Sequence, residues 1–153
     1  MGRNKVDRKK VLAILDAIVE SELAGVVRYT HYSFMVFGYT RIPIVSWLRE
    51  QAGESLVHAQ QAGEMITSLG EHPSLAIGPL LETHKHDIGQ ILEEALEAEL
   101  RALELYRELL ELVRDRSVVL EEYARSMIAA EETHAFEVDK MLRKPGEVGR
   151  FLD

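Results

Sequence analysis

The 153-residue chain is 46% hydrophobic, carries a net charge of −8 and contains no cysteine. That size suits one buried core, and the missing thiols exclude disulfides, a thiolate zinc site and a cysteine nucleophile. The acidic balance argues against nucleic acid and suits cations, so any metal must be held by Glu, Asp and His, a donor set for hard metals such as iron or manganese.

The start, Met1 to Lys5, is basic but leads into an amphipathic pattern, not a continuous apolar run, so neither a signal peptide nor a membrane span is expected and the expected home is cytoplasmic. Arg3, Lys5, Arg8, Lys9 and Lys10 read as a solvated first turn, with an arm touching DNA as the alternative. Helical periodicity predicts a first helix over 6–37, ended by a turn between Gly38 and Pro43. A second helix over 44–69 follows Pro43 and closes on Gly70.

Residues 71–86, with Pro73, Gly78 and Pro79, have no helical period and form a connection, within which His84 and His86 read as parts of a solvated loop able to catch metal. A third helix over 87–113 and a fourth over 118–142 are separated by a short polar turn, and Lys144-Pro145-Gly146 leaves a tail over 144–153. Short turns make each pair an antiparallel hairpin, while the long connection can span a helix length. The expectation is one all-α domain over 1–153, a four-helix bundle with one long crossover, the ferritin-like connectivity.

At 100° per residue, each helix carries few polar groups on its apolar stripe. The first offers Glu22, the third Glu99, and the fourth Glu131 with His134, which lie three apart and share a face. On the second helix Trp47, Gln51, Glu54, Ser55 and His58 share a face. All these groups stand near mid-helix, so they should converge at one level. Buried carboxylates in such number are tolerable only with cations between them. Di-iron carboxylate bundles use one Glu from each of two helices and Glu-x-x-His from each of the other two. Three helices here meet that pattern. The outer face of the first helix, with His31 and apolar neighbours, suggests at least a dimer.

Together, Glu22-Leu23 with Tyr29, His58-Ala59 followed by Pro73-Ser74-Leu75, Glu99 with Arg107-Glu108, and Glu131-Glu132-Thr133-His134 make the chain resemble the bacterioferritin branch of the ferritin-like superfamily over most of its length. The resemblance implies a ferroxidase: a di-iron centre that oxidises Fe(II) with O2 or peroxide for iron storage or detoxification, in a homo-oligomer that can close into a shell. Manganese or zinc are the implied substitutes for iron. It further implies that Glu22 and His58 hold one iron, Glu99 and His134 the other, with Glu131 bridging, and that Tyr29 hydrogen-bonds a ligand or donates an electron.

The sequence departs from that pattern twice. The second bridging Glu, three residues before the helix-two His, is here Ser55, with the nearest acid at Glu54, which a π-bulge could swing into place. The axial Met of haem-binding members is here Leu56, which argues against haem. Two other readings of the same bundle are a rubrerythrin-like or manganese redox protein and a metal-binding bundle without turnover.

Overall fold

A computed structural model describes residues 5–80 and 83–152, so Arg3 of the basic cluster and positions 81–82 of the connection lie outside the described residues. Four helices make up the described regular structure: α1 (Arg8–Met35), α2 (Arg41–Ser68), α3 (Ile88–Val113) and α4 (Val118–Leu142). Three begin on a side chain that accepts from an otherwise unpaired first-turn N–H: Asp7 from Lys10, Asp87 from Gly89, and Ser117 from Leu120. The second starts three residues earlier than its sequence suggests. Pro43 sits inside its first turn, where no N–H is required, so the proline does not mark the boundary. Its other end turns through Gly70 at φ 80°, a left-handed position suited to glycine.

α1 packs along α2, α3 along α4, and the two hairpins meet through α1 and α3. Apolar layers lie at both ends of the bundle. One is built around Leu15, Ile66, Leu109 and Val113, the other around Tyr32, Val36, Leu48 and Ile91. The polar groups of the stripes fall between these layers, and the apolar ends fix their helix-to-helix register.

The crossover is strapped along α1. The Ser74 N–H donates to Asp16 at 2.9 Å, the Gly78 N–H donates to the Glu20 carbonyl at 2.9 Å, and Arg28 donates to the Leu80 carbonyl at 3.4 Å. A Cβ on Gly78 would stand 3.2 Å from that same Glu20 oxygen, so the close approach suits glycine. This strap changes the expected status of the outer face of α1. His31 is not fully exposed: it is half-buried against His86, with ring centroids 5.8 Å apart. Ala24 and Arg28 are buried on α1 beyond the predicted stripe.

Part of the basic cluster is structural. Arg8 donates to the Leu69 carbonyl at 2.9 Å and pairs with Glu71 at 3.6 Å, tying the start of α1 to the end of α2. The tail forms no helix, but it folds back so that the Phe151 and Leu152 N–H groups donate to Asp139. No helix of the described residues is long and apolar enough to cross a membrane.

Candidate metal centre

Midway along the bundle, Glu22 from α1, His58 from α2, Glu99 from α3, and Glu131 and His134 from α4 converge. Ligand atoms of Glu22, His58 and Glu131 all lie within 4.8 Å of one another, and so do those of Glu99, Glu131 and His134. Glu131 belongs to both groups. Atoms around one ion at about 2.1 Å stand roughly 3–4 Å apart, so each triad needs only small side-chain adjustments to close on a metal.

The contacts within the cluster are definite. His58 Nδ1 is 3.5 Å from Glu22 and 3.3 Å from Glu131, and His134 Nδ1 is 3.4 Å from Glu99. Two tyrosines fix the outer carboxylates: Tyr29 donates to Glu99 at 2.6 Å and Tyr106 donates to Glu22 at 2.9 Å. Tyr29 thus faces Glu99 across the bundle, although it shares a helix with Glu22. Trp47 flanks His134, with ring centroids 5.9 Å apart.

Electrostatics follow from crowding acids in a space largely withdrawn from solvent. Burial, then a hydrogen bond with Glu99, pushes the Glu131 carboxyl up to about 9. Burial would raise Glu99 as well, but hydrogen bonds from Glu131 and His134 outweigh it and hold it down at about 2. The two carboxyls therefore share one proton, carried on Glu131. Burial also raises Glu22, offset in part by its hydrogen bond with His58. The His58 imidazole is opposed by burial, yet hydrogen bonds to Glu131 and Glu22 dominate and lift it to about 10. For His134, burial is likewise overcome, chiefly by Glu99, and its titration moves up. Without metal, protons hold the acids together.

Among the buried atoms with no hydrogen-bond partner are His134 Nε2 and, on α2, Gln51 Oε1. Orphaned donors and acceptors of this kind are costly unless something binds them. Gln51, Glu54, Ser55, His58, Glu99, Glu131 and His134 all line one narrow cavity of about 40 Å³. Carboxylates and imidazoles around such a space, once deprotonated, are a fitting donor set for iron, manganese or zinc.

Glu54 lines this cavity but belongs to neither triad. It is exposed, and α2 runs as unbroken α-helix from Arg41 to Ser68, with no π-bulge to swing it inward. Its charge does reach His134 and helps to raise it. Ser55 is buried at 6% exposure, close enough to α1 that a Cβ on Gly25 would stand 2.9 Å from its Oγ. Leu56, at the axial position, is 43% exposed on the outer side of α2.

Two contributors carry no mark of the site in the sequence. Tyr106 reads as core packing, and Gln51 falls on the right face with nothing to mark it. The level of Tyr106, two turns past Glu99, was the one available signal.

The ferritin-like domain model matches residues 12–146, so the chain belongs to the ferritin-like family. Among solved structures it is similar to a ferritin-like di-iron carboxylate protein from Bacillus anthracis str. Ames, at 23% identity and a TM-score of 0.84, covering 90% of this chain and 98% of that one. The bacterioferritin-related protein from Bacteroides fragilis, a dodecameric thioferritin, matches at 23% identity and a TM-score of 0.83, covering 90% and 87%. Rhodobacter capsulatus bacterioferritin, whose structure has a metal-free dinuclear site and a haem iron, matches at 27% identity and a TM-score of 0.75, covering 90% and 86%. No curated protein sequence matches the chain.

Proposed function

We propose that this protein is a ferroxidase-type ferritin-like protein that takes up Fe(II) as substrate at a two-metal centre and oxidises it with O2 or peroxide, for iron storage or detoxification. The observation that carries the reading is the pair of ligand triads joined through Glu131. Glu22 and His58 hold one ion, Glu99 and His134 the other, and Glu131 spans both. Two Fe(II) ions supply two electrons, enough to take O2 to peroxide or peroxide to water.

The chain's own residues prepare that step. Three carboxylates favour the ferric over the ferrous charge and so make bound Fe(II) easier to oxidise. Tyr29 and Tyr106 hold Glu99 and Glu22 in place through hydrogen bonds. His58 and the Glu131–Glu99 pair release their protons as metal enters, since ligands must be deprotonated. Glu54, at the cavity's exposed side, supplies negative charge where cations arrive.

The exposed apolar residues Val27, Phe34, Leu56 and Val57 on α1 and α2 suit a homo-oligomer contact, a dimer at least. The dodecameric state of the Bacteroides fragilis relative supports a larger assembly, and a cytoplasmic site of action fits the chain's lack of cysteine.

A second reading rests on Ser55. With no fourth carboxylate in the cluster, the protein binds metal without turning over. Anaerobic loading with Fe(II) followed by oxygen-electrode measurement separates the two: the ferroxidase consumes O2 in proportion to Fe(II) added. Binding with no Fe-dependent uptake of O2, and none of peroxide, overturns it.

A further inference from the structure

We infer that His31, His84 and His86 form a second metal site, outside the bundle, for one divalent transition-metal ion of borderline softness such as Zn2+. Half of the chain's six histidines gather here, and none of the three belongs to the central cavity. His31 comes from the outer face of α1, while His84 and His86 come from the segment leading into α3.

Ring spacing supports the assignment. The His86 ring lies 5.8 Å from that of His31 and 6.3 Å from that of His84, centroid to centroid, at interplanar angles of 65° and 86°. With Zn–N bonds of about 2.1 Å, an imidazole centroid stands roughly 3.2 Å from the ion, and two tetrahedral partners have centroids roughly 5.2 Å apart. His86 is thus within about 1 Å of a ligating centroid distance from both neighbours; the three imidazoles must turn for their nitrogens to close on one ion, since these do not stand within 4.8 Å of one another as the donor atoms of the central triads do. Neutral imidazole is a preferred donor for zinc, copper, iron and nickel among divalent ions, and a poor one for magnesium or calcium.

The segment is anchored on two helices, which limits the cost of ordering it around an ion. Arg28 of α1 holds the Leu80 carbonyl, Thr83 donates to Glu94 of α3 at 3.1 Å, and Asp87 caps α3 immediately after His86. The other Glu94 oxygen is buried with no hydrogen-bond partner, so a carboxylate held one residue from His84 favours a cation on this side. His31 and His86 are half-buried and His84 is exposed, which leaves the cluster open to solvent for entry and for a water ligand. The site shares no residue with the proposed iron centre, so either can fail without the other.

The test is Zn2+ stoichiometry and affinity of the full chain, by equilibrium dialysis with metal analysis. Wild type, the double variant His84→Ala/His86→Ala, the single variant His31→Gln and the centre variant Glu131→Gln are compared, with circular dichroism to check folding. The double variant should bind one Zn2+ per chain fewer than wild type, and Glu131→Gln should keep that ion. His31→Gln should weaken the same ion roughly tenfold or more. Equal stoichiometry and affinity in wild type and the double variant would overturn the site, as would its loss in Glu131→Gln alone. His84 and His86 both lie outside the helices, so their replacement should leave the bundle folded, and an unchanged circular dichroism spectrum checks this.

Discussion

Replacing Glu131 by Gln sets metal binding against stability. In the metal-free protein Glu131 carries the proton it shares with Glu99, its carboxyl raised from 4.5 to about 9. At pH 7 an ordinary carboxyl lies about 2.5 pH units above its titration, so keeping it protonated costs about 3 kcal/mol at 1.36 kcal/mol per unit. Glu99, held near 2 by the same proton, returns part of that cost. A Gln amide fits the same volume, donates to Glu99 permanently and still accepts from His58. Metal-free Glu131→Gln should therefore be more stable than wild type at pH 7 by about 1–3 kcal/mol. That corresponds to a Tm higher by roughly 2–10 °C for a chain of this size. The sign follows from linkage: with its folded titration raised, Glu131 costs wild type progressively more stability as pH rises from 4.5 towards 9, and the variant lacks that slope. The gain should vanish by pH 4. Both triads lose their shared ligand, so the variant should also fail to bind two ions. Urea unfolding of the metal-free proteins at several pH values, with iron analysis after loading, checks both halves. A variant that is less stable at pH 7, or that still binds two ions, refutes the shared-proton account.

Three further outcomes are expected. Tyr29→Phe removes a 2.6 Å hydrogen bond to a part-buried carboxylate and should cost about 1.5–3 kcal/mol in the metal-free state, read by urea midpoint, while iron stoichiometry is unchanged; a neutral effect would show that the bond carries no weight. His58, raised to about 10, contributes stability that is fully present below about 6.5 and lost as pH rises through about 10. Since metal must displace that proton, affinity should climb with pH, roughly tenfold per unit for each proton released, and calorimetry in buffers of different ionisation enthalpy should register proton release at pH 7. Ser55→Glu should lower metal-free stability by burying a fourth acid but tighten binding of the metal pair; weaker binding would show that the cavity has no room for the bridge.

Much of the centre is legible in the sequence because its geometry is local. Glu131 and His134 share a face by helix arithmetic alone, and Glu22, His58 and Glu99 lie at mid-helix, where neighbours of similar length bring them level. What stays hidden depends on contacts between distant segments. That Tyr106 reaches Glu22, 84 residues away, is set by the register of α3 against α1, and no periodicity within either helix encodes it. The crossover has no period at all, so its path along α1, and with it the meeting of His31 with His86, could not be read. Asp139 is a similar case, an acid on α4 that looks solvated until the tail returns to donate two N–H groups to it.

The departure at Ser55 is coupled to the packing of α1 on α2. Gly25 has no Cβ, and one placed there would stand 2.9 Å from Ser55 Oγ, so these two small residues let the helices approach at the level of the candidate metal centre. A Glu at position 55 would have to send its carboxylate from that crowded line into a cavity of about 40 Å³. Gln51, one turn earlier, already presents a buried amide oxygen to the same space. The α2 side of the cavity thus offers one imidazole and a neutral oxygen, with its acid, Glu54, left at the exposed rim. Three carboxylates, Glu99 among them only part-buried, balance less than the full charge of two divalent ions, so on the proposed reading a metal pair would be held less tightly than by four.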